Sequence, residues 1–443
     1  MRKWLAVWFL ACGLACTVAC TGGSGSGDDV LDPPGSQDPP SPEPPPSNDG
    51  GGVTIARTGQ SFATLQEAIA QSDHGDVLEL EPGIYRETID VTRGVTLRST
   101  DGAAQTILDG NDEQRPLSGS DALVGRTLRL EGITLRFGRG DPGGAIWMTS
   151  GTLECVDCVF DRCTSPDRAG AVSVQASGAA DAASAVFENC VFRECQSDAR
   201  GGAVFLTAGT GSARVDALFR RCRFEGNLGN QGGAVFASVG AGTATVDVDF
   251  ENCIFADNRA KDGGAVLAES GAGQSLVDLE LRGCLIVRNE VTGEGSAVRA
   301  RAVAEESKIE LHLIHCTIAD NIAPDLTGFR AAVTVTRGVS QGSARLLLLN
   351  SIVWANAPRQ LEGAHFESLY ENNIVMNWAL GGSNLDLDPR FVFPEGDNYL
   401  LRAGSPAIDA ADPLLVPAEL VVDLAGEPRI RGAGPDIGAF EQE

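Results

Sequence analysis

The sequence predicts an all-β fold, a solenoid of stacked rungs, and three observations predict it. First, a short phrase returns seven times between Cys155 and Asn356, centred on Cys158, Cys190, Cys222, Cys253, Cys284, Cys316 and Ser351. These centres are 32, 32, 31, 31, 32 and 35 residues apart, and a fixed period in this range marks a repeat array. Second, strict apolar/polar alternation precedes the copies, as in Val246-Asp247-Val248-Asp249-Phe250 and Val277-Asp278-Leu279-Glu280-Leu281. Period-2 alternation means a strand with one buried face, so the aliphatics point in and the acids out. Third, 54 glycines and 6% aromatic residues suit tight turns and thin strands rather than a helical core.

Composition narrows the partners. The formal charge is −26 over 443 residues, with lysine only at Lys3, Lys261 and Lys308. So acidic a chain repels nucleic acid and anionic lipid surfaces, which leaves cations and neutral or basic ligands.

In chain order, Arg2-Lys3 precedes an apolar run from Trp4 to Leu14 that is too short to span a bilayer and has the form of a secretory signal. Thr17-Val18-Ala19-Cys20 then resembles the bacterial lipoprotein signal, whose first mature residue is a lipidated cysteine. The resemblance implies lipidation at Cys20, where the polar Thr21-Gly22-Gly23-Ser24 begins directly after; Cys16 is the alternative, because Thr17 stands where that family usually has Leu. Residues 1–20 are thus read as signal and 21–52 as a Gly/Ser/Pro tether, unable to bury enough apolar surface to offset its ordering entropy. The localisation expected is exported and lipid-anchored at a bacterial outer membrane or cell surface, with the anchor as the only membrane contact.

Residues 53–120 read as the N-terminal cap and first rungs. Val53 to Ile55 is a short strand, and Thr64-Leu65-Gln66-Glu67 opens a short helix as a capping box. Strands follow at 77–80, 89–91 and 95–97. A solenoid must seal its open end against strand addition, and a small amphipathic helix does so. The stretches Ala63 to Ile69, Gly75 to Leu80 and Pro82 to Glu87 resemble the cap and first coils of right-handed parallel β-helix proteins, the pectate-lyase-like group. That resemblance implies a right-handed parallel β-helix with a short capping helix.

Within the repeats, 121–375, each position has a job. The residue before the Cys is Asp157, Asn189, Arg221, Asn252, Gly283, His315 or Asn350, with Gly94 and Gly132 in earlier rungs; that composition predicts a corner at positive φ. The Cys column and the Phe column two residues on (Phe160, Phe192, Phe224, Phe255) should face inward. Three residues further stand Cys163, Cys195, Asn227, Asn258, Asn289, Asn321 and Asn356, whose amides should form an axial ladder. Gly-Gly-Ala-Val then starts another strand at Gly201, Gly232 and Gly263. Asp161/Arg193/Glu225 and Arg162/Glu194/Gly226/Asp257/Arg288/Asp320 read as outward columns of alternating charge. Phe224-Glu225-Gly226-Asn227 with Gly232-Gly233-Ala234-Val235 resembles the repeat of the polymorphic outer membrane proteins, a family of β-helical surface proteins that includes adhesins. The likeness covers roughly 130–360, and the C-terminal membrane barrel of that family is not present in this sequence.

Nine cysteines lie beyond the signal region. Because Ile133 and Ser351 share the Cys column, mostly buried free thiols are expected, and Cys163–Cys195 is the pair best placed to be an exception. Cys155-x-x-Cys158 has no second pair at zinc spacing.

One outward column does not alternate in sign: Asp216, Asp247, Asp278 and Glu310, flanked by Asp249 and Glu280, with His312 beside Glu310. Like charges ~4.8 Å apart on a sheet repel unless screened. Oxygen ligands at this spacing suit Ca²⁺ or the hydroxyls of a sugar chain, so these six acids are the candidate metal or ligand stripe; no cofactor is required. Enzymes on the resembled fold act on acidic polysaccharides, but no catalytic set of that group is found here. Arg299 and Arg301 are the basic residues to pair with the stripe in a lyase.

After Asn356 the period is lost. Residues 376–443 are read as a C-terminal capping segment; Asp388-Pro389-Arg390-Phe391, Gly404-Ser405-Pro406-Ala407 and Asp436-Ile437-Gly438-Ala439-Phe440-Glu441 resemble the closing part of the choice-of-anchor Q surface proteins. Arg429 is expected to pair with Asp409, Asp423 or Asp436. The functional expectation is a non-catalytic surface adhesin or glycan binder. The alternatives are a lyase-like polysaccharide enzyme and a purely structural surface protein.

Overall fold

The computed structural model describes residues 50–119, 121–323, 330–338, 342–363, 368–378 and 381–442. The signal, Cys16, Cys20 and nearly all of the tether lie outside the described residues. The end of the tether does not: Gly50 N–H donates to Ile84 O at 2.9 Å and Glu81 N–H to Gly52 O at 3.0 Å, so pairing starts three residues before Val53.

The chain is a parallel β-solenoid. Three sheets of 13, 11 and 10 strands each take about one strand from every rung. Sheet 1 carries the long alternating strands, such as Thr245–Glu251 and Leu276–Arg282. Sheet 2 carries the Phe-column strands, such as Val191–Arg193 and Arg223–Glu225. Sheet 3 carries the strands after Gly-Gly-Ala, such as Val204–Ala208 and Val235–Val239. Successive rungs pair in parallel and in register, Phe192 beside Phe224 and Val235 beside Val266. One continuous apolar core fills the interior from Val53 to Val375. The Phe column stacks at ring centroids of 4.6–4.8 Å, and its neighbour Phe187/Phe219/Phe250 stacks at 4.8 Å.

The first corner is as read: Asp157, Asn189, Arg221, Asn252, His315 and Asn350 have φ of 50–53°, and Gly132 and Gly283 have 62°. Gly94 differs. It does not adopt positive φ; a Cβ there would stand 2.9 Å from Thr127 O, so close approach of the next strand selects glycine. A second left-handed corner went unread in the sequence. Phe137, Arg162, Glu194, Gly226, Asp257, Arg288, Asp320 and Ala355 have φ of 49–63°. The predicted column at these positions does face outward, but from a bend rather than a strand, and its varied composition hid that conformation. Arg288–Asp257 (2.8 Å) and Arg193–Asp161 (2.9 Å) do pair along the axis, whereas Glu225 turns to Arg223 of its own strand.

Each corner is followed by an inward ladder. Asn227, Asn258, Asn289, Asn321 and Asn356 donate Nδ2–H to the next Oδ1 at 2.8–2.9 Å, and Asn356 ends the run on Gln360 Oε1. The cysteines of the Cys column, and Cys163 and Cys195 at the head of the asparagine column, are buried and free, so the pair open to a disulfide does not form one. Their thiols point at carbonyl oxygens of the preceding rung, Cys195 Sγ at 3.5 Å from Phe160 O, so each thiol already has an acceptor. Beyond Cys316 this ladder continues in amides: Ser351 N–H donates to Asn373 Oδ1 and Asn373 Nδ2–H to Asn384 Oδ1, both at 2.9 Å.

The paired glycines are required by contact. A Cβ on Gly233 would sit 1.9 Å from Gly264 O of the next rung. Gly233→Ala should destabilise the solenoid by about 3 kcal/mol or more, read as a lowered midpoint in chemical denaturation.

At the N-terminal end, the helix Leu65–Gln71 buries Leu65, Ala68 and Ile69, and Thr64 Oγ1 accepts from Glu67 N–H at 3.2 Å. The second acceptor comes from Glu87, whose carboxylate takes the Leu65 and Gln66 amides at 3.0 and 3.1 Å. The strand Val53–Ile55 runs antiparallel to Val77–Leu80 and, on its other edge, to a further strand, Gln60–Phe62.

The C-terminal segment corrects another expectation. Only its start continues the stack, where Leu385 bridges Ile374. From Asp388 it lies against the flank of the last rungs, on the outer face of sheet 2 and along the first corner. Tyr399 OH donates to Asp320 Oδ2 (2.9 Å), Asp412 N–H to Asn350 Oδ1 (2.9 Å), Asn252 Nδ2–H to Val422 O (3.2 Å) and Ala439 N–H to Thr317 Oγ1 (3.0 Å). A second core forms there, with Ala256, Leu285, Val287, Ala319, Ile352 and Ile374 packed against Phe391, Tyr399, Leu401, Ile437, Ala439 and Phe440.

Candidate functional site

The acidic stripe is assembled by the pleat and register of sheet 1. In Thr245–Glu251 and Leu276–Arg282, Val246, Val248, Val277 and Leu279 are buried, which forces Asp247, Asp249, Asp278 and Glu280 outward. Parallel pairing then sets Asp216 beside Asp247, Asp247 beside Asp278 and Asp278 beside Glu310. The flanking column runs Asp249, Glu280, His312. All six predicted acids therefore share one face.

Besides His312, two arginines that the sequence reading missed hold this face together. Arg214 Nε lies 2.6 Å from Asp216 and its NH2 3.7 Å from Asp247. Arg282 reaches Glu280 and Asp249 at 3.6 and 3.8 Å. His312 stands 3.4 Å from Glu310 and 3.9 Å from Glu280. The signal was available, since residues two apart on a strand share a face: Arg214 precedes Asp216, and Arg282 follows Glu280.

Charge within the stripe is uneven. Burial, then Asp249 and Asp216, raises the carboxyl pKa of Asp247. Burial also raises Asp278 and Asp249, against the pull of His312 and Arg282 respectively. Glu280 moves down because His312, and then Arg282, favour its charged form over the opposing effect of burial. Burial pulls His312 down, but Glu280, Asp278 and Glu310 outweigh it and the imidazole is raised. Asp278, at the centre, keeps a buried Oδ1 with no hydrogen-bond partner, and His312 Nε2 is in the same state. Chemically the face can accept hydrogen bonds and attract positive charge. Among the described residues, no group of three or more His, Cys, Asp or Glu side chains is arranged to hold a metal ion. The carboxylates lie in rows along the sheet, without convergence on one point.

Arg299 and Arg301 do not join the stripe, which corrects the pairing a lyase would need. Both lie on sheet 3, in Val298–Ala302. Arg299 is held by Asp262 at 3.0 Å and by Glu294, and Arg301 by Glu269 at 2.9 Å. They face a different side of the solenoid from the acids. His315 has a corner φ of 52° and is fully buried beneath the C-terminal segment, as a turn residue. Arg429 pairs with Glu441 rather than with Asp409, Asp423 or Asp436, whose carboxylates accept backbone amides.

These features define the class: a parallel β-solenoid whose repeated phrase is scaffold and whose distinctive surface is acidic. No protein-family model matches the sequence, and none of the curated proteins searched matches it. Among solved structures, the pectate lyase Pel9A aligns with a TM-score of 0.46 at 12% identity, over 86% of this chain and 91% of that one. That similarity is weak, and the fold rests on this chain's own strand pairing. Among the described residues, no helix is long and apolar enough to cross a membrane.

Proposed function

We propose that this chain is a lipid-anchored surface protein that presents the acidic face of sheet 1 to a glycan or another cell-surface ligand, without catalysis. The observation that carries the reading is Asp278. It lies in register between Asp247 and Glu310, half-buried, with one carboxylate oxygen lacking a partner. Such a group is costly in the free protein, and because that oxygen is itself covered, a hydroxyl or cation engages the row through the outer parts of its carboxylates and lowers the cost indirectly. The rigid sheet fixes the row, so a ligand repeating along the solenoid axis meets successive acceptors without ordering cost.

Screening the folded chain against neutral and acidic polysaccharides tests this proposal. Retention without cleavage is the expected result; release of unsaturated products would establish a lyase, and neither would leave a structural surface protein. Because the rows do not converge on one point, Ca²⁺ would be attracted along the face as a whole rather than held in a closed site. Calorimetric titration should show Ca²⁺ heat that Asp247→Asn and Asp278→Asn each diminish; absence of heat, or heat unchanged in both variants, would remove the ion from the account.

A further inference from the structure

The flank of the last rungs is apolar where the earlier flank is charged. Along sheet 2, Asp161, Arg193 and Glu225 give way in register to Ala256, Val287 and Ala319; in the neighbouring column the valines Val159 and Val191 and the charged Arg223 are followed by the larger aliphatics Ile254, Leu285 and, beyond Thr317, Ile352. The C-terminal segment covers that apolar stretch. What holds the segment in its own shape is a buried charge cluster: Arg429, Asp423, Asp436 and Glu441 are each no more than 6% exposed. Arg429 donates to Gly438 O and Asp436 O at 3.0 and 2.9 Å and pairs with Glu441. Glu441 Oε1 accepts Asp436 N–H (3.0 Å), and Asp423 Oδ2 accepts Glu441 N–H (2.8 Å). One cation thus faces three carboxyl groups away from water, while Glu441 Oε2 and Arg429 Nε have no hydrogen-bond partner.

We propose that residues 388–442 form a pH-sensitive clasp, closed over the apolar flank at acid pH and progressively loosened as Glu441 ionises beside Asp436 and Asp423. The neighbours from each packed element are these. Within the segment, Arg429, Asp436, Asp423, Asp409 and Glu427 surround Glu441 directly or through shared amides. From the solenoid, His315 approaches Arg429 and the 436–438 backbone, and burial, then Arg429, keeps it neutral. Arg288, Asp257, Asp320 and Asp397 cluster at the other end of the segment, around Tyr399.

Burial raises the Glu441 carboxyl to about 7, the nearby Asp436 adding to the rise and Arg429 opposing it. Asp423 and Asp436 are also raised, mainly by burial. The sign follows: an acid whose folded pKa exceeds its unfolded value stabilises the closed form below the unfolded value, and that contribution disappears as pH rises through the folded one. The window therefore runs from about pH 4.5 to about pH 7, and is spanned by a comparison of pH 5 with pH 8.

Amide hydrogen exchange on the full chain at pH 5 and pH 8, corrected for intrinsic rates, tests the clasp. The opening constant for residues 407–411 and 436–440 should rise on the order of tenfold to a hundredfold at pH 8, while amides of the Asn258 ladder keep their protection. Glu441→Gln should abolish that rise and retain the pH 5 protection. If Glu441→Gln unfolds the segment, Asp436→Asn serves as the second variant and should reduce the rise. Protection independent of pH, loss in parallel throughout the solenoid, or an undiminished rise in a folded variant would overturn the proposal.

Discussion

Asn258→Ala is expected to destabilise the solenoid by about 3–5 kcal/mol. Asn258 is fully buried and works in both directions along the axis. Its Nδ2–H donates to Phe224 O and Asn289 Oδ1, and its Oδ1 accepts from the backbone amide and Nδ2 of Asn227, at 2.9–3.0 Å. Alanine removes all four bonds and leaves polar groups of two neighbouring rungs dry and unpaired, each costing about 1–3 kcal/mol before relaxation. Asn258→Asp should be at least as damaging, since a carboxylate cannot donate to Phe224 O. Chemical denaturation should show the loss. Since each rung touches only its neighbours, hydrogen exchange should rise first in the rungs on either side. An Asn258→Ala midpoint within error of the parent would mean that the ladder is incidental to the fold.

Ending the chain after Asp386 is expected to yield protein that self-associates. The truncation uncovers Leu285, Val287, Ile352 and Ile374, which pack against the segment, and strips the corner residues His315 and Asn350 of their cover. Fully burying each large aliphatic is worth about 1.5–3 kcal/mol, so the exposed flank loses about 5 kcal/mol or more and becomes a contiguous apolar patch. Sedimentation or light scattering should report oligomers from the truncated form and not from the full chain. Restoring solubility by Leu285→Lys with Ile352→Glu in the truncated chain would place the cause on this face.

Much of the architecture was legible because the repeat writes the same constraint seven times. The alternation of Val246 to Phe250 fixed which side of sheet 1 faces the core, and the Asn and Phe columns identified themselves by identity at a constant interval. The second corner was not legible, because Arg162, Glu194, Asp257 and Ala355 share no side-chain property; only their φ of 50–59° unites them. The first corner was legible because Asn, Asp and Gly dominate it, although Arg221 and His315 accept the same backbone when the next rung packs on them. The stripe's acids were found as a column, but Arg214 and Arg282 were missed because their contacts run along the strand. The lateral course of the C-terminal segment had a signal that was passed over. Ala256, Val287 and Ala319 stand at outward positions where earlier rungs carry charges, and an apolar outer face demands a cover. The partner of Arg429 could not be read, because Glu441, Asp423 and Asp436 meet in one buried cluster and each accepts a backbone amide there, which spacing along the chain does not rank.

The central claim is that the repeated phrase is scaffold and the acids of sheet 1 are the working surface. Its most direct test compares retention of one polysaccharide, chosen as the best-retained in the screen, by the parent chain and by the double variant Asp247→Asn with Asp278→Asn. The account predicts at least tenfold weaker retention in the double variant, with a denaturation midpoint equal to or above the parent's, because relieving like-charge repulsion does not harm the sheet. Retention unchanged in a fully folded double variant would contradict it.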